Sequence, residues 1–341
     1  MKSVTVVIPN WNGMKYLKTC LDALRNQDTD DFETLVVDNH SADGSVAFIR
    51  ENYPEVRLLI HEENLGFTGG VNAGIEASKT PFVLLLNNDT ECDPGFVRNL
   101  LQAIQKDPKI FSVSSKMIRF YERNTLDDAG DYYTALGYQA QRLTGYPVTD
   151  KRASKPCKVF SSCAGAAIYR RLVFEEIGLF DPNHFAYLED IDVGYRAMIY
   201  GYRNLYEPSA VVYHVGSGTS GAVQYTPFKV MLSARNNQYL LYKNMPPFFR
   251  GLNALPLALG RAVKRRFFSK LGFREAYEEG LAAASEHRKD LKIVPCDFVR
   301  FFRHVRIEGL LIVYAFRYAG EFFGRKKLKK GLSGGGKPAG A

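Results

Sequence analysis

The chain has 341 residues, which at roughly 150 residues per domain is enough for about two domains. Its content of 46% hydrophobic, 13% aromatic and 24% charged residues is that of a globular protein and excludes disordered, collagen-like and disulfide-stapled classes. The formal net charge of +9 is uneven, because residues 1–245 carry −3 and residues 246–341 carry +12. Such a basic module is typical of proteins that contact nucleic acid, anionic lipid or an acidic partner.

The cysteines and the start of the chain bear on its compartment. Five cysteines are scattered without a C-x-x-C pair, so we expect reduced thiols and no zinc site. The first residues run directly into a strand pattern without the apolar core of a signal peptide. No stretch reaches the roughly 18 apolar residues of a membrane span. We therefore expect a cytoplasmic protein that lies on a membrane at most.

The first third of the chain alternates strand and helix signals. Strands are predicted at 4–8, 33–37, 56–60 and 82–86, and helices at 16–25, 45–51, 71–77 and 96–105. This alternation indicates βαβ units, and so an α/β fold with a mainly parallel central sheet and flanking helices.

The remainder of the chain is less regular up to about residue 225. The pattern there predicts strands at 164–169 and 210–214 and helices at 172–177, 190–200 and 226–242. Pro246 and Pro247 break the last helix and mark a boundary before a basic helical region, 246–330. The tail, 331–341, is rich in Gly, Lys and Ser and is expected to be disordered.

Polar residues follow three of the predicted strands, at the edge where open α/β sheets bind ligands. They are Pro9-Asn10-Trp11-Asn12, Asp38-Asn39 and Asn87-Asn88-Asp89. Turns also favour Asn and Asp, but three such ends together favour a common cleft. Asp89 is a candidate ligand for Mg²⁺ or Mn²⁺, since these ions need only one or two protein oxygens when they also bind substrate phosphates.

Three further segments carry candidate chemistry. The Gly-rich run 64–74 leads into a helix, where backbone N–H groups approach anions, although it matches neither the dinucleotide nor the P-loop pattern. Glu189, Asp190 and Asp192 gather at a helix start. They either complement the helix dipole or, between apolar flanks that raise a carboxyl pKa, supply a general base. His214 ends a strand and is either structural or a metal or phosphate contact.

Taken in order, these segments resemble the inverting family 2 glycosyltransferases of the GT-A fold. The similar subgroup is the bacterial one that contains rhamnosyltransferases and O-antigen or cell-wall glycan glycosyltransferases. The resemblance rests on residues 6–13, 37–45, 63–67, 86–90, 178–181, 189–192 and the Arg196…Gly201-Tyr202 that follows. It implies a GT-A catalytic domain over 1–245, with a nucleotide-sugar half at about 1–105 and an acceptor and catalytic half at 106–245.

The resemblance also implies roles for individual residues. The nucleotide-sugar would be bound by Pro9, Asn10, Asn12, Asp38, Asn64, Gly69, Gly70, Asn72, Asn87 and Asn88. Among these, Asp38 would read the nucleotide base. Asp89 would ligate Mg²⁺ or Mn²⁺, and His214 would approach the metal or the diphosphate. Asp190 would be the catalytic base, with Glu189 beside it at the acceptor.

The implied activity is transfer of one sugar, with inversion, from a nucleotide-sugar to a hydroxyl. The preferred donor is dTDP-L-rhamnose and the acceptor a glycan or polyprenyl-diphosphate-linked glycan in cell-surface polysaccharide biosynthesis. A UDP-hexose or UDP-N-acetylhexosamine donor is the alternative within enzymes. The Gln-x-x-Arg-Trp motif of processive members is absent, which favours single-sugar transfer. A catalytically inactive nucleotide-sugar-binding or scaffold protein is the alternative from another class.

The excess positive charge of region 246–330 indicates an anionic partner. Phe298, Phe301, Phe302 and Val305 recur at helical spacing, with arginines on the other faces. Basic amphipathic helices suit the anionic inner face of a cell membrane, and the alternative is packing on the catalytic domain. Nucleic acid is not expected, because no helix-turn-helix, RNP or zinc-finger pattern is present.

Overall fold

The computed structural model describes residues 2–216 and 225–334. The strands are β1 (Val4–Asn10), β2 (Phe32–Asp38), β3 (Arg57–Ile60), β4 (Phe82–Leu86), β5 (Thr90–Cys92), β6 (Ile110–Arg119), β7 (Leu126–Asp128), β8 (Asp131–Tyr133), β9 (Gln139–Gln141), β10 (Cys157–Val159), β11 (Ala166–Arg170) and β12 (Arg203–His214). The α-helices are α1 (Met14–Arg25), α2 (Ser45–Asn52), α3 (Gly66–Ala77), α4 (Phe96–Gln105), α5 (Val173–Ile177), α6 (Glu189–Ile199), α7 (Pro227–Asn244), α8 (Pro247–Leu252), α9 (Ala254–Lys270), α10 (Arg274–Glu286) and α11 (Phe298–Gly334).

One ten-stranded sheet organises the first two thirds of the chain. Its order is β10-β12-β6-β11-β4-β1-β2-β3, with β5 attached to β12 and β7 attached to β6. Strands β4, β1, β2 and β3 pair in parallel, whereas β11 is antiparallel to both β4 and β6. Because β12 is parallel to β6, the carboxyl ends of β1, β2, β4 and β12 all lie at one edge of the sheet.

Helices cover both faces of the sheet, which explains its continuous apolar strands. All five residues of β4 are buried. Alternate residues divide between two hydrophobic cores: Leu84 and Leu86 pack with α1 and α4 on one face, and Val83 and Leu85 pack with α3 and α5 on the other. The predicted α/β fold with a central sheet and flanking helices is confirmed.

Strand β6 is the main element that the sequence pattern missed. It runs through the centre of the sheet between β12 and β11, yet Ser112, Ser114 and Ser115 interrupt its apolar run. These serines are buried, and Ser112 and Ser115 are hydrogen-bonded, Ser112 Oγ to Asn204 Oδ1 at 2.9 Å and Ser115 Oγ to the Ala166 carbonyl at 2.8 Å. Hydrogen bonds thus replace water for two of these serines, whereas Ser114 Oγ has no hydrogen-bond partner among the described residues.

Four helices of the basic region pack on the catalytic half. Ile307, Leu311 and Tyr314 of α11 join Ile191 and Tyr195 of α6 in a third hydrophobic core. No helix within 2–216 and 225–334 combines the length and apolar character needed to cross a bilayer. Helix α11 continues to Gly334, into the range expected to be disordered, and the rest of that tail, 335–341, lies outside the described residues.

Candidate functional site

A cavity of about 770 Å³ opens at the sheet edge where β1, β4 and β12 end. Parallel strands deliver their polar ends to the same edge, so residues distant in sequence meet there. The sequence-predicted residues on the cavity wall are Pro9, Asn10, Asn64, Asn87, Asn88, Asp89, Glu189, Asp190 and His214. The structure thus brings half of the predicted donor residues into one space with the predicted metal and catalytic residues.

The ends of β1, β2 and β4 are joined by a buried amide network. Asn10 Nδ2 donates to Asp38 Oδ1 and to Ser45 Oγ, both at 2.9 Å, and Asn88 Nδ2 donates to Asn10 Oδ1 at 2.8 Å. A Cβ on Gly13 would lie 1.9 Å from Asn88 Nδ2, so only glycine leaves room for this contact. The network fixes the loop conformations that form this wall.

Five predicted donor residues do not line the cavity: Asn12, Asp38, Gly69, Gly70 and Asn72. Asp38 is 1% exposed and also accepts from the Ser41 backbone N–H at 2.9 Å. Asn12 Oδ1 accepts from the Ala42 N–H, and Asn72 Nδ2 donates to the Phe180 carbonyl at 2.7 Å. In this structure the side chains of Asn12, Asp38 and Asn72 connect neighbouring loops through hydrogen bonds.

Asp89, His214 and Asp127 form a line at the β4 and β12 ends. His214 Nε2 lies 3.4 Å from Asp89 Oδ1, and His214 Nδ1 lies 2.7 Å from Asp127 Oδ2. Burial would lower the pKa of His214, but the two carboxylates outweigh it and raise that pKa to about 10. Asp127 was not predicted, because a single Asp on the short strand β7 carries no pattern of its own.

This line fits a divalent cation that also binds substrate phosphates. In the described ranges, no group of three or more His, Cys, Asp and Glu side chains is arranged to hold a metal by itself. One carboxylate is nevertheless enough for Mg²⁺ or Mn²⁺ when phosphates complete the shell. A carboxylate on the second ring nitrogen of a metal-binding histidine is the usual supporting contact, and Asp127 occupies that position for His214.

Glu189 and Asp190 begin α6 and line the same cavity. The chain enters this helix through Phe185, Tyr187 and Leu188, all at positive φ (59°, 73° and 66°), a region that non-glycine residues rarely adopt. Asn236 Nδ2 of α7 is directed at the carbonyls of this turn, 2.8 Å from Ala186 O and from Tyr187 O. Helix α7 therefore stabilises the positive-φ turn before α6, and this turn directs both carboxylates into the cavity.

The two carboxyl groups differ in acidity. Burial raises the pKa of Asp190 to about 6, although hydrogen bonds from backbone N–H groups, including that of Ile191 at 2.7 Å, oppose it. Burial and the charge of Asp190 raise the pKa of Glu189 to about 8. At neutral pH the coupled pair therefore holds about one proton, and Asp190 is the more acidic of the two.

Two groups on the wall were missed by sequence reasoning. Asp131 of β8 is buried with its pKa raised well above the usual value by burial and by Asp128, and it accepts from Gln139 Nε2 at 2.8 Å. Lys264 of α9 reaches the cavity from the basic region. Neither has a local signature, because each acquires its position through tertiary packing.

Comparison with known proteins identifies the family. The model described as Glycosyl transferase family 2 matches residues 5–178, half of the chain. An N-acetylglucosaminyl-diphospho-decaprenol L-rhamnosyltransferase of Mycobacterium tuberculosis is 28% identical over 218 residues, which cover 55% of this chain and 67% of the relative.

Two solved structures share the fold across nearly the whole chain. Staphylococcus aureus TarS 1–349 in complex with UDP has a TM-score of 0.54 at 16% identity, covering 94% of this chain and 92% of that one. The mannosyltransferase PcManGT from Pyrobaculum calidifontis, in complex with GDP-Man and Mn²⁺, has a TM-score of 0.52 at 17% identity, covering 94% and 86%. With the family model over half of its length and this fold over nearly all of it, the chain belongs to glycosyl transferase family 2 and is a glycosyltransferase of the GT-A fold.

Proposed function

We propose that this enzyme transfers a single sugar, with inversion and with a divalent cation, from dTDP-L-rhamnose to a hydroxyl of a glycan or polyprenyl-diphosphate-linked acceptor. Such transfer serves cell-surface polysaccharide biosynthesis. The observation that carries the proposal is one cavity lined both by Glu189 and Asp190 and by the Asp89–His214 pair. The similarity to the mycobacterial decaprenol-linked rhamnosyltransferase supports the choice of donor and acceptor.

Asp190 is the general base of the proposed reaction. Its carboxylate accepts the proton of the acceptor hydroxyl while that oxygen forms a bond to the anomeric carbon. The bond from this carbon to the nucleoside diphosphate breaks at the opposite face, and the diphosphate leaves with the electron pair. One displacement inverts the configuration. A base with a pKa of about 6 takes the proton more readily than an ordinary carboxylate and is still ionised at neutral pH.

The donor end of the cavity stabilises the leaving group. A bound Mg²⁺ or Mn²⁺ would neutralise the charge that develops on the diphosphate. Asp89 and His214 would hold that ion, and Asp127 fixes the histidine ring so that Nε2 faces Asp89. Asn87 and Asn88 lie on the same wall and place amide groups beside the donor.

Glu189 positions the acceptor. Its pKa of about 8 keeps it protonated at neutral pH, so it donates a hydrogen bond and adds no second negative charge beside the base. In the described part of the chain its buried Oε2 has no hydrogen-bond partner, which leaves that atom for an acceptor hydroxyl.

We also propose that the enzyme is cytoplasmic and binds the anionic inner face of the cell membrane through region 246–330. The outer face of α11 exposes large apolar side chains at helical spacing, namely Phe298, Phe302, Val305, Ile312, Phe316 and Phe323. Exposed Arg306, Arg317, Lys326 and Lys327 accompany them. Apolar side chains with flanking cations suit an interface of anionic lipid, where each cation contributes about 1 kcal/mol.

The direct test is a donor screen with the full chain. Melting temperatures are measured with dTDP-rhamnose, UDP-hexoses and UDP-N-acetylhexosamines in Mn²⁺ or Mg²⁺, and stabilising donors are then assayed for transfer to a prenyl-diphosphate-linked sugar. The proposal expects dTDP-rhamnose to stabilise and to be consumed. If only a UDP-sugar stabilises the enzyme and is consumed, the donor belongs to the alternative class, a UDP-hexose or UDP-N-acetylhexosamine. Binding without turnover on any acceptor would identify an inactive nucleotide-sugar-binding protein.

A further inference from the structure

Lys264 is a half-buried cation of α9 that lines the cavity. Its Nζ donates to the Gly137 carbonyl at 3.2 Å and lies 5.0 Å from the centre of the Tyr138 ring. Burial alone lowers the pKa of this lysine to about 8, and no described carboxylate pairs with it. Partly burying an ammonium without a counter-ion destabilises a protein, so the site gains from an anion that enters the cavity.

A second lysine contributes to the same cavity. Lys229 of α7 is 7% exposed and lines the cavity, and burial lowers its pKa as well. Both lysines come from helices near the end of the chain. Asp89 and His214, at the donor end, come from the ends of β4 and β12. The two lysines therefore line the cavity from different elements than the proposed donor residues.

An apolar path leads from these lysines to the surface. Tyr225 and Phe268 line the cavity with ring centroids 5.7 Å apart, and the ring of Phe267, 43% exposed, lies 5.8 Å from that of Tyr225. Farther along α9, every fourth residue is an exposed apolar side chain, the series being Leu255, Leu259, Val263 and Phe267. We call this series the α9 stripe. Residues four apart on a helix are neighbours, so the stripe is continuous.

We propose that Lys264, together with Lys229, binds the diphosphate of a prenyl-diphosphate-linked acceptor, and that the α9 stripe receives the first isoprene units of its chain. A pair of partly buried cations that adjoins an exposed hydrocarbon surface matches an amphiphile with a diphosphate head. The acceptor class rests on the proposed function, whereas the lysines and the stripe are properties of this chain.

The test compares Lys264→Met with the wild-type full chain. Methionine keeps an unbranched side chain that is one atom shorter and removes the ammonium group, with its charge and its hydrogen bond to Gly137. Binding of farnesyl diphosphate, inorganic pyrophosphate, UDP and dTDP is measured by calorimetry. We expect farnesyl diphosphate and pyrophosphate to bind roughly 10- to 100-fold more weakly, the loss of a charge-assisted contact, and the nucleotides to bind as before. Lys270→Met, an exposed change on the same helix, is the matched control.

A readout of stability separates binding from a structural role. Because Lys264 is half-buried and has no described carboxylate partner, Lys264→Met should melt close to wild type while losing the diphosphate probes. Phe267→Ser should weaken farnesyl diphosphate and leave pyrophosphate unchanged, since only the former has a hydrocarbon chain.

Two results overturn the inference. One is unchanged affinity of Lys264→Met for farnesyl diphosphate, and the other is a loss confined to UDP or dTDP, which would place the lysine in the donor site. The inference and the proposed function fail separately. Loss of farnesyl diphosphate binding without any sugar transfer would retain the anion site and reject the enzyme assignment. Transfer to a prenyl-linked acceptor that is unaffected in Lys264→Met would retain the enzyme assignment and reject the anion site.

Discussion

Lys243 of α7 and Asp192 of α6 form a buried ion pair, with Nζ 2.9 Å from Oδ2, two residues beyond the proposed base. Asp192 also pairs with Arg196, which donates to the Gly178 and Leu179 carbonyls. Burial would raise the pKa of Asp192, but Arg196 and Lys243 outweigh it and hold that pKa well below the usual range. The base-bearing helix is thus fixed from two sides by charge.

Replacing this aspartate should therefore destabilise the fold. Asp192→Asn leaves two buried cations with less compensation, and breaking one partner of a buried pair costs about 3–5 kcal/mol. Urea unfolding should show this loss in the free energy of unfolding. Glu55→Gln, which removes the surface pair with Arg25, is the control and should cost within about 1 kcal/mol. Equal effects of the two changes would contradict the assignment.

Asp190→Asn should separate chemistry from binding. The amide keeps the shape of the side chain but cannot accept the proton, so kcat should fall at least about 100-fold, the lower end of what a positioned base contributes. Calorimetry should find an unchanged Kd for the donor nucleotide. The control is Asp93→Asn, a carboxylate outside the cavity, which should retain turnover. Near-wild-type kcat in Asp190→Asn would remove Asp190 as the base.

The pH profile should report the raised pKa of the base. Asp190 works only when ionised, so kcat/KM should fall about tenfold per pH unit below its pKa. Loss of the Glu189 proton near pH 8 should cause a second decline at the alkaline end. The acid limb is expected near pH 6, about two units above an ordinary aspartate, because burial raises that pKa. Initial rates between pH 4.5 and 8 at saturating Mn²⁺ measure it. An acid limb near pH 4 would show that the base is a solvated carboxylate.

Asp127 should tune the cation site without being a ligand. Asp127→Asn removes the carboxylate that orients His214, and changes of this kind typically cost about 10- to 100-fold in metal affinity. Manganese titration followed by electron paramagnetic resonance should show weaker binding, and excess Mn²⁺ should restore turnover. Excess Mn²⁺ should not restore turnover in Asp89→Asn. Glu91→Gln, which loosens only the surface contact with Arg123, should bind Mn²⁺ as wild type does.

The outer face of α11 should determine binding to lipid. Phe302→Asp with Phe316→Asp places charge on an exposed apolar surface and should abolish flotation with vesicles that contain anionic lipid. Leu172→Asp changes an equally exposed apolar residue on the catalytic domain and should float as wild type. Wild-type protein that stays at the bottom with anionic vesicles would reject the membrane proposal.

The strand ends were predictable because parallel strands deliver short polar runs to one edge. Asn10, Asn87 and Asp89 were found in this way, and so was Asp190, which opens a helix. Strand β6 was not, because hydrogen-bonded serines give it no apolar period. Asp127, Asp131 and Lys264 depend on contacts across the fold, and no spacing in the sequence records such contacts. Two of the arginines expected beside the α11 phenylalanines instead contact protein: Arg303 donates to Ile199 O, and Arg300 lies over Tyr200.

The hydrophobic core that joins α6 to α11 has a consequence for how this enzyme is built. Ile191 and Tyr195, on the helix that carries the proposed base, share one hydrophobic core with Ile307, Leu311 and Tyr314. During synthesis, α6 therefore cannot complete its hydrophobic core until the last tenth of the chain has been made. Chimeras that exchange the C-terminal region for that of a relative must carry matching residues on α6 and α11. Otherwise α6 will lose part of its hydrophobic packing.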